Sequence, residues 1–91
     1  MKLSKAVETI TSDAYKERFK AEYYQIKERY ERLKSFNNTI EAASRTSHSI
    51  SKRVEMPKHD CPEELLRDQQ RAMGEYLHFL EIRAVIENIE L

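Results

Sequence analysis

Residues 65–91 read as one long helix with apolar side chains on two of its sides, and that feature limits the chain more than any other. Leu66, Gln70, Met73, Leu77, Leu80, Ala84 and Leu91 recur at spacings of three, four or seven, the stripe of an amphipathic helix. Leu65, Tyr76, Phe79, Ile82, Val85, Ile86 and Ile89 form a second row beside it. One partner helix covers one side, so a single two-helix hairpin leaves the other row in water. The pattern therefore predicts an all-α chain that assembles with copies of itself.

Size and composition narrow the options further. At 91 residues the chain is one domain near the lower limit for a self-sufficient core. Its 16 basic and 16 acidic residues cancel to zero net charge, which argues against a protein that coats DNA or RNA. One glycine and two prolines leave little punctuation for a many-turned β fold. Cys61 is the single cysteine, so no intrachain disulfide forms, and a reducing compartment is the simpler expectation. The opening MKLSKAVETI lacks the apolar run of a secretion signal, and nothing has the length of a membrane span, so a soluble intracellular protein without membrane contact is expected.

In chain order, Ser4 can cap a short helix over residues 4–10, after which Thr9, Thr11, Ser12 and Asp13 favour a break. A second helix is expected over 13–36. There Phe19, Tyr23, Ile26, Tyr30 and Leu33 alternate by four and three as a heptad seam, with charged residues around it. Three tyrosines at or beside the seam make it wetter than a simple hairpin core, since each phenol needs a partner or water. Asn37 and Asn38 are expected to end that helix. A Ser- and Thr-rich connector then spans 37–61, with weak helical character in its first half. Asp60 or Cys61, as cap before Pro62, Glu63 and Glu64, starts the last helix over 62–90.

Few residues suggest chemistry. His48, His59, Asp60 and Cys61 are ligand types, but their spacing fits no structural zinc motif, and no metal site or cofactor is expected. Glu75 and His78 supply only one copy of the Glu-x-x-His pattern that carboxylate metal bundles need twice. No nucleophile and base are spaced for catalysis, so an enzyme is not expected. The surface of the second helix is more specific. Tyr15, Arg18, Phe19, Tyr23, Tyr24, Lys27, Arg29 and Tyr30 interleave rings with cations, and rings stack on bases while cations hold phosphates. The plainer account, packing tyrosines with solvated flanking charges, stays open. With zero net charge, a small nucleotide in a pocket fits better than a long polyanion.

Two runs also carry a family resemblance. Arg18, Phe19, Glu22, Tyr23, Ile26, Arg29, Leu33 and Phe36, followed after the connector by Leu66, Gln70, Met73, Tyr76, Leu80, Arg83 and Ile86, resemble the phage-encoded anti-CBASS protein-two family. The MKLSK start and enlarged connector look like the version found in T4-like phages. The resemblance implies a compact helical homohexamer that acts as a sponge for cyclic di- and trinucleotides in the host cytoplasm, starving CBASS effectors of their signal without breaking a bond. It further implies a dinucleotide pocket between protomers, built from a tyrosine early in the first long helix and a cation further along. By position the tyrosine is Tyr15, and Lys27, Arg29 and Arg18 are the candidate cations. Arg67 and Arg71 are candidates for a second site. The alternatives are a helical adaptor that blocks a host protein, and a metal-dependent hydrolase of the same signals.

Overall fold

A computed structural model describes residues 13–91, which form a hairpin of two antiparallel helices, α1 over Asp13–Arg45 and α2 over Glu63–Ile86. The helix expected over 4–10 lies outside the described residues.

The heptad seam of α1 is real and longer than expected. Phe19 and Tyr23 are buried, Ile26, Tyr30 and Leu33 are half-buried, and the same alternation continues through Asn37 to Ile40, both buried. The expected helix end at Asn37 is thus corrected: α1 runs on to Arg45. Asn37 occupies a seam position, where its amide donates to the Leu66 carbonyl at 3.1 Å and to Gln70 Oε1 at 2.8 Å. A side chain that normally competes with its own helix is here satisfied by the partner helix, so the tendency to terminate is lost. Ile40 and Ala43 then bury against the hairpin and hold the extra turns.

On α2 the alternation Leu66, Gln70, Met73, Leu77, Leu80, Ala84 meets this seam. Phe19, Tyr23, Leu77, Leu80, Ala84 and Ile89 make one core cluster, with Tyr15, Ile26 and Tyr30 packed on its edge. At Gly74 the helices approach closely. A Cβ there would stand 3.2 Å from Cε1 of Tyr30, so the missing side chain makes room for that ring.

Both ends of α2 differ from expectation. Neither Asp60 nor Cys61 caps its start; Pro62 holds the N-cap at φ −58°, ψ 141° with no side-chain bond, and its carbonyl takes the first helical N–H, from Leu66 at 3.2 Å. Glu63 and Glu64 complement the dipole in the first turn. At the other end α2 stops at Ile86 rather than near residue 90. Asn88 turns left-handed at φ 58°, its N–H reaches the Val85 carbonyl at 3.4 Å, and the Ile89 N–H reaches Ala84 at 2.8 Å. This is a Schellman closure, with Asn in place of the commoner glycine. It swings Ile89 into the core beside Ala84 and removes it from the second apolar row.

The connector is ordered by small polar bonds. Thr46 Oγ1 donates to the Ala42 carbonyl at 2.7 Å and accepts the Val54 N–H at 2.9 Å. His59 bonds to the Pro57 carbonyl at 2.8 Å and meets the Phe36 ring edge-on.

The rest of the second row stays uncovered. Phe79 is 61 %, Val85 80 % and Ile86 77 % exposed, with Leu65 and Ile82 about half exposed beside them. Leu65, Phe79 and Ile86 share one row at multiples of seven, on the far side of α2 from the core. A helix apolar all round needs cover on both sides, and exposed patches of this kind mark contact surfaces. Among the described residues no helix is long and apolar enough to cross a membrane.

Candidate functional site

Antiparallel packing brings the first turn of α1 against the last turn of α2, and a connected network of Tyr15, Arg83 and Glu87 forms there. The Tyr15 hydroxyl donates to Glu87 Oε1 at 2.7 Å and accepts from Arg83 Nη2 at 2.6 Å. Arg83 Nε also donates to Glu87 Oε2 at 3.1 Å. The Arg83 guanidinium lies 5.1 Å above the centre of the Phe19 ring, and Tyr15 packs at a tilt against the same ring. Cation, phenol and aromatic face thus share one corner. Burial and the bond to Glu87 push the Tyr15 phenol above its ordinary value, against the opposing charge of Arg83. The Tyr15 hydroxyl in turn holds the Glu87 carboxyl below its usual range, so Glu87 is a carboxylate here.

Two further phenols tie the helices together, Tyr23 within the seam and Tyr76 on the exposed flank beside it. Tyr23 donates to Glu81 Oε2 at 2.6 Å, which pushes its phenol up to about 12. Tyr76 donates to Glu22 across the hairpin and is raised by that bond. Of the tyrosines expected to wet the α1 seam, Tyr23 takes a carboxylate of the facing helix as its partner, while the Tyr30 ring packs at Gly74.

The four candidate ligand residues do not converge in one copy. Tyr15 is half-buried in the corner just described. Arg18 is exposed one turn further on, the neighbour position on the same side of α1. Lys27 is exposed on another flank, in a row with Lys20 and Lys34, its Nζ 5.8 Å from the Tyr23 ring centre. Arg29 is exposed on the Arg18 side. At a rise of 1.5 Å per residue, Lys27 and Arg29 stand roughly 18 Å and 21 Å along the helix from Tyr15. Arg83 and Glu87, which do meet Tyr15, escape a reading of α1 alone. The signal that reveals them is the hairpin itself, which pairs the start of one helix with the end of the other.

A separate open groove of about 1050 Å³ lies between the far halves of the helices, lined by Tyr30, Asn37, Arg45, Arg67, Arg71 and Phe79 among others. It holds the two arginines considered for a second site and none of the four α1 candidates. Each of its arginines has an acidic neighbour on its own helix: Glu41 at 2.7 Å from Arg45, Glu63 at 4.0 Å from Arg67, and Asp68 at 3.1 Å from Arg71. Among the described residues no group of three or more His, Cys, Asp or Glu side chains is placed to hold a metal ion.

The model of one protein family, Sequestin, matches residues 13–86, from the first residue of α1 to the last of α2. No curated protein and no solved structure matches the chain.

Proposed function

We propose that this chain, which belongs to the Sequestin family, is a phage anti-defence protein that captures cyclic di- and trinucleotide messengers such as 3′,3′-cyclic GMP-AMP. The family name is compatible with sequestration, and the nucleotide ligands come from the anti-CBASS resemblance of the two helical runs. In this reading the protein works in the host cytoplasm as a homo-oligomer, a hexamer by that resemblance, and returns its ligand unbroken.

The observation that carries the reading is an outward apolar face on α2 combined with rings and cations on α1 that are too far apart to serve one ligand within one copy. Assembly through Leu65, Phe79, Ile82, Val85 and Ile86 would bring α1 surfaces of different copies together, so that Tyr15 of one protomer could face Lys27 or Arg29 of another. Such a cleft stacks a base on a ring, worth about 1–3 kcal/mol, and sets a cation against a phosphate. Because the walls form on assembly, little ordering remains to oppose binding.

Calorimetry with 3′,3′-cyclic GMP-AMP and a panel of other cyclic di- and trinucleotides tests this. Binding at micromolar ligand or tighter, and its loss in Tyr15→Ala, are expected. After heat denaturation the ligand should elute unchanged; a linear product would instead indicate a hydrolase. The same apolar face also suits a host protein, the adaptor reading. No heat with any nucleotide, together with a stoichiometric complex with one host protein, would favour that alternative.

A further inference from the structure

We propose that Glu87 is an internal stand-in for the phosphate of the ligand, and that Arg83 is the cation that acts with Tyr15, an inference that rests on the sequestration reading above. The corner holds one carboxylate bound by two donors of different kinds, the Tyr15 O–H at 2.7 Å and the Arg83 Nε at 3.1 Å. A phosphodiester carries the same single negative charge on two non-bridging oxygens and accepts the same donors. Guanidinium forks suit such paired oxygens.

The geometry distinguishes this corner from the other phenol contacts. Tyr23 and Tyr76 each bond a carboxylate of the facing helix, and neither hydroxyl receives an arginine bond. At Tyr15 the Arg83 side chain is half exposed and its guanidinium stands over the buried Phe19 ring, so the half-buried Tyr15 ring is the aromatic surface beside it. A nucleotide needs that combination, donors for the phosphate and rings beside them for the base.

Glu87 is also free to leave. It is the C-cap residue, at φ −89°, ψ 2°, after the last helical position, and the Schellman bonds that close α2 come from backbone groups around it. Its side chain can rotate away without unwinding a turn or exposing Ile89. The carboxylate then keeps Arg83 and Tyr15 in position while the site is empty and gives way when a phosphate arrives. Its charge competes with the ligand for the same donors, so it lowers affinity while it raises order.

The test is calorimetry of the full-length protein with 3′,3′-cyclic GMP-AMP, comparing wild type, Arg83→Ala, Arg83→Lys, Glu87→Gln and, as a charge-matched control, Glu90→Gln, with a thermal melt of each. Expected are a loss of about tenfold or more in Arg83→Ala, partial recovery in Arg83→Lys, and binding several-fold tighter in Glu87→Gln although its melting temperature falls. Glu90→Gln should stay within about twofold of wild type, because its carboxylate takes no part in the corner. A purely structural tie predicts the opposite sign for Glu87→Gln, weaker binding along with lower stability. If wild type binds and Glu87→Gln binds no tighter than Glu90→Gln, or Arg83→Lys equals wild type, the inference is overturned while sequestration stands. If wild type binds no cyclic nucleotide, both fall. Should Arg83→Ala fail to fold, the Arg83→Lys and Glu87→Gln pair still decides.

Discussion

Removing the Tyr23 hydroxyl tests whether the phenol and carboxylate pairs hold the hairpin together. Tyr23 is 4 % exposed, and its O–H donates to Glu81 at 2.6 Å. That bond, with burial behind it, raises the phenol from 10.0 to about 12. At about 1.36 kcal/mol per tenfold change in acidity, the rise corresponds to about 2.7 kcal/mol between the neutral and ionised forms. Glu81 is exposed, and solvent screening of the pair brings the expected effect to about 1–2 kcal/mol. The folded value lies above the unfolded one, so the stabilisation is complete below pH 10 and disappears as pH rises through about 12. Tyr23→Phe should therefore cost about 1 kcal/mol near neutrality, where one hydrogen bond is lost. Its stability should also decline less steeply than that of wild type between pH 10 and 12. The assay is urea unfolding followed by circular dichroism at fixed protein concentration over a pH series, read as the difference between the two proteins. Contributions from Tyr15 and Tyr76 are common to both and cancel. If the difference stays constant from neutral pH to 12, the Tyr23 to Glu81 bond does not couple ionisation to folding, and the reasoning fails.

Asn37→Asp should destabilise by about 1–3 kcal/mol, because a carboxylate there faces the Leu66 carbonyl that now accepts the amide; Asn37→Leu, which fits the seam position, should cost less, and urea midpoints will rank them. Asn88→Ala should cost about 1 kcal/mol and Asn88→Gly close to nothing, since φ is 58° there and an L side chain without Asn's local hydrogen bonding is strained in that region; equal melting temperatures for the two would count against the closure as a stabilising element. Replacing Phe79 and Ile86 by lysine should leave the hairpin helical but reduce the mass found by light scattering to that of one chain, because both side chains lie outside the core. A wild-type protein that already scatters as one chain would remove the assembly argument.

Much of the hairpin was legible from residue order. The four-and-three spacing of Phe19, Tyr23, Ile26, Tyr30 and Leu33 and its counterpart from Leu66 to Ala84 predicted two helices meeting along a seam, and both are there. Local chemistry misled at three helix ends. Asn37 looks like a terminator because its amide competes with its own backbone, yet Leu66 and Gln70 satisfy it from across the hairpin. Asp60 and Cys61 look like caps, yet the cap position falls to Pro62. Asn88 falls inside the helix that the apolar spacing predicts, yet it turns left-handed and Ile89 is buried beyond it, a contact between a terminus and a core that short windows cannot register.

The candidate site divides along the same line. Tyr15 stood out from the sequence as a ring among cations, whereas Arg83 and Glu87, 68 and 72 positions later, became its partners only through the antiparallel docking of the helices. Order along the chain determined which faces are apolar, because periodicity is a property of each helix alone. It also determined that α2 has more apolar surface than one partner can cover. Tertiary structure decided which polar groups meet, because a hydrogen bond needs two groups within about 3 Å, and that depends on the register between helices rather than on the composition of either.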